Sequence, residues 1–152
     1  MRLFSDSSFL AAARVEISEQ FNECAGKLQE LAGSTQDANI NDLDEHQENL
    51  LNEVLAGTHQ IKTLFENANV MMGNIEHFLI SGEFPSSQEM QNSVVHSGAD
   101  VNALDLVDDY KALDDANKEK FAFVACNYEL ISTMLDNAIE LCAVLHKATK
   151  KF

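Results

Sequence analysis

The sequence predicts an all-α protein, an antiparallel helical bundle of about four helices with coiled-coil-like heptad packing. Only one proline and six glycines occur among the 152 residues, so few residues interrupt a helical backbone. Apolar side chains recur at alternating steps of three and four residues, the spacing that aligns them on one helix face. A chain of this length is expected to form a single domain, here residues 1–152.

Capping and helix-stopping residues set the predicted helix ends. The first helix is expected to begin at Ser7 or Ser8, whose hydroxyl groups can cap exposed backbone N–H groups, and to stop at Gly33. Asp114 or Asp115 can cap the last helix in the same way. The predicted helices lie near residues 8–32, 42–80, 86–113 (irregular or broken near 98) and 115–150.

The second helix has the longest apolar stripe. Eleven positions between residues 43 and 78 alternate steps of four and three, and only Gln47 and Gly57 among them are not apolar. Such a stripe requires a packing partner along its whole length. The apolar members are Leu43, Leu50, Val54, Ile61, Leu64, Ala68, Met71, Ile75 and Phe78.

The charge of the chain limits its partners. Ten Lys and Arg face 25 Asp and Glu, a net charge of −15, which opposes direct binding to nucleic acid or to anionic lipid. A basic protein partner is compatible with this charge, and so is a role in solubility alone. No apolar run is long enough to cross a membrane and no secretion signal is recognisable, so a cytoplasmic location is expected, although secretion without a leader stays open.

The sequence offers little catalytic chemistry. None of the five histidines falls on a predicted core position and no Glu-x-x-His pair occurs, so neither a metal site nor a cofactor is expected. Asp105, Asp108 and Asp109 share one helical face, an acidic surface that could attract a basic partner, although a solvated face with a helix cap explains it as well. Without a phosphate loop or an activated nucleophile, we expect no enzyme.

One segment of the second helix resembles a known family. Residues 57–63, GTHQIKT, resemble the active helix of histidine phosphotransfer domains. The resemblance implies that His59 accepts a phosphoryl group and that Lys62, one turn away, supports its charge. The family usually has small residues after this lysine, whereas Leu64 and Phe65 follow here.

The sequence therefore favours a non-catalytic protein–protein interaction module, such as an adaptor, a chaperone or an inhibitory binding protein. The first predicted helix, about 25 residues, is too short to cover a second of nearly 40, so the remainder is expected to contact the irregular third segment, the last helix or another chain. Two alternatives stay open: the phosphotransfer domain, and an acidic nucleic-acid mimic that blocks a basic protein cleft. Plain core packing is the competing interpretation for each predicted partner-binding residue, namely Met71, Met72, Ile75, Phe78 and Leu79.

Overall fold

A computed structural model describes residues 7–36, 42–83, 104 and 106–151. These residues form four helices, and the prediction of an all-α helical bundle is confirmed. No helix in this part of the chain combines the length and apolar character needed to cross a membrane. The helices are α1 (Ser8–Gln36), α2 (Glu45–Ser81), α3 (Asp108–Lys111) and α4 (Asp115–Thr149).

The chain divides into two compact units. Unit 1 comprises Met1–Ser18 and Asn69–Thr133, and unit 2 comprises Glu19–Ala68 and Met134–Phe152. Each of the three long helices contributes one part to unit 1 and its other part to unit 2. In unit 1 the first parts of α1 and α4 join the last part of α2, so α2 runs antiparallel to both. That residues 1–152 form a single domain stays a prediction.

Buried side chains recur every seven residues on all three long helices. α1 and α2 each bury one such column, whereas α4 buries two, so α4 has the widest apolar face. The α1 column is Leu10, Ile17, Cys24 and Leu31; the α2 column is Val54, Ile61, Ala68 and Ile75; the α4 columns are Phe121, Tyr128, Leu135, Cys142 and Thr149, and Val124, Ile131, Ala138 and Leu145.

Direct contacts join the helices of unit 1. The rings of Phe78 on α2 and Phe123 on α4 meet edge to face with their centroids 4.8 Å apart. Arg14 on α1 forms an ion pair with Glu76 on α2, with 2.9 Å between nitrogen and oxygen. The aromatic pair is buried and stabilises the core, whereas the ion pair is solvated and contributes little.

Close packing in unit 2 explains a glycine in the middle of α2. A Cβ atom at Gly57 would lie only 2.6 Å from Cδ1 of Leu145 on α4, so glycine allows the two helices to approach here. Two turns further along α2, the ring of Phe65 meets Phe21 of α1 edge to face at 5.5 Å. All three long helices thus contact one another in this unit too, since Gln20 of α1 donates a hydrogen bond to Asp136 of α4.

Side-chain caps fix the start of two long helices. The Asp44 carboxylate accepts a hydrogen bond from the Gln47 backbone N–H at 2.8 Å, and the Gln47 side-chain oxygen accepts one from Asp44 N–H at 3.1 Å. This reciprocal capping box starts α2 at Glu45, three residues later than predicted. Asp114, rather than Asp115, caps α4 through the backbone N–H of Asn117. α2 ends as predicted at Ser81, followed by Gly82 with a φ of 70°.

The predicted stop of α1 at Gly33 is wrong, because the helix continues to Gln36. The Thr35 hydroxyl donates to the Leu31 carbonyl within the last turns, and Ser34 forms a hydrogen bond with Nδ1 of His146 on α4. A helical glycine costs only about 1 kcal/mol relative to alanine, which such packing offsets.

Of the three elements that could match the long second helix, the observed helix lengths favour the last helix. α2 has 37 residues and α4 has 35, so α4 nearly matches α2 and a second chain is not needed to match its length. The predicted third helix, 86–113, lies largely outside the described residues; its described end contains only the four-residue α3.

Ile61→Ala should lower the free energy of unfolding by about 2–5 kcal/mol, because it removes a fully buried side chain from α2 in unit 2. Leu55→Ala, on the same helix at a position 49% exposed, is the matched control and should cost about 1 kcal/mol or less. Urea unfolding followed by circular dichroism measures both. Equal losses in the two variants would contradict the core assigned to α2.

Candidate functional site

A cleft of about 270 Å³ opens in unit 1 where α1 and α4 lie side by side. We call it the unit 1 cleft. Most of its lining is apolar, and the segment before α3 contributes one buried leucine. The lining residues are Phe9, Ala13, Glu16, Ile17, Leu104, Ala125, Cys126, Tyr128, Glu129, Ser132 and Thr133.

Two aromatic residues line the unit 1 cleft. Phe9 is 42% exposed, and its ring stacks on the buried ring of Phe121 at 5.9 Å. Tyr128 is 3% exposed, so almost all of its side chain is buried. Burial, and then the nearby Glu76, raise the pKa of Tyr128, while Arg14 lowers it. The phenol therefore stays neutral and can donate or accept a hydrogen bond.

The charged residues that line the unit 1 cleft are all acidic. Glu16 on α1 and Glu129 on α4 are exposed, and no Lys, Arg or His is found among the described lining residues. Two carboxylates beside an apolar surface create a negative potential that water screens incompletely. The cleft is therefore complementary to a ligand with both apolar and cationic groups.

The cysteine in the unit 1 cleft is a weak nucleophile. Burial, and then the charge of Glu129, raise the pKa of the Cys126 thiol. Burial also raises the pKa of Cys24, and that of Cys142 to about 11. A thiol reacts through its thiolate, so all three cysteines are expected to be poorly reactive in the folded chain.

The start of α1 beside the cleft is held by a carboxylate from α3. Oδ2 of Asp109 accepts hydrogen bonds from Ser7 Oγ at 2.8 Å, Ser8 Oγ at 3.1 Å and the Phe9 backbone N–H at 2.9 Å. Ser7 also caps the helix by accepting from Leu10 N–H. A negative charge is favourable at this end of a helix, and the contact fixes the position of Phe9.

The structure separates the predicted partner-binding residues into two groups. Ile75 and Phe78 pack in the core of unit 1 and cannot contact a partner while this unit is folded. Met71, Met72 and Leu79 are half-buried and do not line the unit 1 cleft. A role for these three in binding stays a prediction.

The predicted acidic surface is only partly available. Asp108 is exposed, whereas Asp109 is half-buried and engaged at the start of α1; Asp105 lies outside the described residues. The role of these aspartates in partner binding also stays a prediction. Asp109 at least has a structural role that its sequence position did not suggest.

His59 and Lys62 are both exposed on α2, one turn apart. Gly57, which contributes to the phosphotransfer resemblance, is explained by its close approach to Leu145. His46 and His77 are exposed as well, His146 is half-buried, and His96 falls outside the described residues. Within the described ranges, no three His, Cys, Asp or Glu side chains lie close enough together to hold a metal ion.

Comparison with known protein families, with characterised proteins and with solved structures gave no match.

Sequence reasoning did not identify the unit 1 cleft. Ala13, Ile17 and Tyr128 belong to the apolar stripes, but nothing in the stripes shows that a gap remains beside them. A partial signal exists: Glu16 and Glu129 are each adjacent in sequence to a stripe residue, which places a carboxylate at the edge of a helix contact.

Asp109→Ala should lower the free energy of unfolding by about 1–3 kcal/mol, since it removes a charged acceptor from the start of α1. Asp108→Ala removes the same charge from the exposed neighbour and should cost about 0.5 kcal/mol or less. Urea unfolding measures the loss, and hydrogen exchange at the Phe9 amide should accelerate only in Asp109→Ala. Unchanged exchange there would rule out the proposed contact.

Proposed function

We propose that this chain is a non-catalytic, acidic interaction module that binds a basic segment of a partner protein in the unit 1 cleft. The observation that carries the proposal is the combination of an apolar floor with two carboxylates, Glu16 and Glu129, and no cationic residue in the described lining. Apolar contacts would supply affinity, and the carboxylates would select for positive charge.

The charge of the whole chain supports the same kind of partner. A net charge of −15 attracts a basic protein over a distance and speeds its association, while it disfavours acidic competitors. Acidic residues outnumber basic ones in each unit, so the attraction does not depend on one local cluster.

The chemistry of the lining residues favours binding over catalysis. Cys126 is buried with a raised pKa, and no histidine accompanies it or Ser132 and Thr133 among the described lining residues. Hydroxyl and thiol groups need an adjacent base to become nucleophiles. The three buried free thiols also fit a reducing compartment such as the cytoplasm.

A lysine- and leucine-containing helical peptide should bind this protein, and binding should weaken as salt rises from 50 to 300 mM because charge contributes to it. The same peptide with glutamate in place of lysine is the matched ligand and should not bind. Isothermal titration calorimetry measures the affinities for both peptides, and NMR chemical-shift changes in the protein locate the binding site. Binding of both peptides, or of neither, would refute the proposal.

A cleft-filling variant separates this proposal from nucleic-acid mimicry. Ala125→Leu adds volume inside the unit 1 cleft and should lower the affinity for the basic peptide. Ala122→Leu, on α4 but outside the cleft lining, should leave that affinity unchanged. A phosphate-like acidic surface needs no apolar contact, so equal affinity in the two variants would favour mimicry.

Phosphotransfer is the second candidate, and the observation in its favour is the exposure of His59 and Lys62 one turn apart on α2. An imidazole nitrogen of His59 would attack the phosphorus of a phosphodonor, and the leaving group would depart. The Lys62 ammonium would balance the added negative charge.

Incubation with acetyl phosphate tests this candidate, with release of acetate as the phosphorus–nitrogen bond forms. We expect an acid-labile phosphate on the parent protein that is lost in His59→Gln and retained in His77→Gln, an exposed histidine on the same helix. Mass spectrometry at neutral pH detects the added phosphoryl group. Its absence from the parent protein, or its presence in His59→Gln, would exclude His59 as the acceptor.

A further inference from the structure

We infer that the unit 1 cleft is an arginine site, which receives the guanidinium-bearing side chain of one arginine in the partner's basic segment. This inference rests on the proposed function and specifies the group that is recognised. Two features carry it: the volume of the cleft and its pairing of aromatic with acidic residues.

The volume limits the ligand to one long side chain. At about 270 Å³, the cleft is just below the usual range of small-molecule sites, roughly 300–1,000 Å³. A whole helix therefore cannot enter, but a single extended side chain can. The helix that carries this side chain would lie across the cleft mouth, close to Glu16 and Glu129.

The lining groups are those that recognise a cation with an apolar stem. Phe9 and Tyr128 present aromatic rings, which attract cations through their faces, and Ala13 and Ala125 leave room for a methylene chain. Glu16 and Glu129 approach from two different helices. A cation held here would contact opposite charge from both.

Arginine matches these groups better than lysine does. Its guanidinium is planar and weakly hydrated, so it enters a partly dry cleft at a lower desolvation cost than an ammonium group. Its five N–H donors form a rigid planar fork that can serve two carboxylates at once, whereas an ammonium has three donors. A leucine would fill the cleft but leave the carboxylates without a counter-charge.

Four otherwise identical helical peptides, with arginine, lysine, glutamine or leucine at one central position, test the inference by calorimetry. The arginine peptide should bind about two- to fivefold more tightly than the lysine peptide, the size of one added charged or cation–π contact. The glutamine and leucine peptides should bind more weakly than both. Equal affinities for arginine and lysine would overturn the choice of arginine.

Glu16→Gln and Glu129→Gln should each lower the affinity for the arginine peptide about two- to fivefold. Glu19→Gln removes the same charge from an exposed position of α1 outside the cleft lining, and should have a smaller effect. Circular dichroism verifies that each variant is folded.

The outcomes separate the inference from the proposed function. If basic peptides bind but the cleft variants behave like Glu19→Gln, the arginine site is wrong and the general attraction for basic partners stands. If no basic peptide binds, the proposed function fails. Free N-acetylarginine amide should shift the NMR resonances of the cleft residues only at a higher concentration than the arginine peptide does. Equal affinities of the two ligands would assign the cleft to a small molecule and overturn the inference.

Discussion

Burial at seven-residue intervals is the constraint on which the rest of the structure depends. α4 buries two columns of side chains, whereas α1 and α2 bury one each, so α4 can pack against both within either unit. No disulfide joins the described cysteines, and the Arg14–Glu76 ion pair is 54% and 32% exposed, so neither supplies much stability. Apolar burial is therefore the main stabilising contribution.

In this arrangement, the residues that stabilise the core are different from most of the residues that carry the negative charge. The buried columns occupy the inward positions, which leaves outward positions free to carry acidic residues. Glu16 and Glu129 are exposed in this way and border a cavity, so they can be changed without opening the core. Asp109 differs from these two glutamates, because its carboxylate fixes the start of a helix.

The sequence was sufficient to predict the three long helices, because stripe spacing and capping residues are local signals. It failed at Gly33, where contacts of the last turn with α4 outweigh a weak helix former. It left Ile75 and Phe78 open between core packing and a partner surface, since a stripe cannot distinguish a core contact from a contact with another chain; the structure buries both side chains. Phe9 and Tyr128 line the same cleft although more than a hundred residues separate them in the chain, which no local pattern encodes.

The shared use of three helices by both units has a consequence for synthesis in the cell. Each unit needs residues from α1, α2 and α4, and the contact between Ser7 and Asp109 spans 102 positions of the chain. α1 and α2 can pair early as a hairpin on the ribosome, but neither unit is complete until α4 has emerged. The nascent chain therefore exposes the apolar columns of α1 and α2 during translation, a period in which chaperones would shield them.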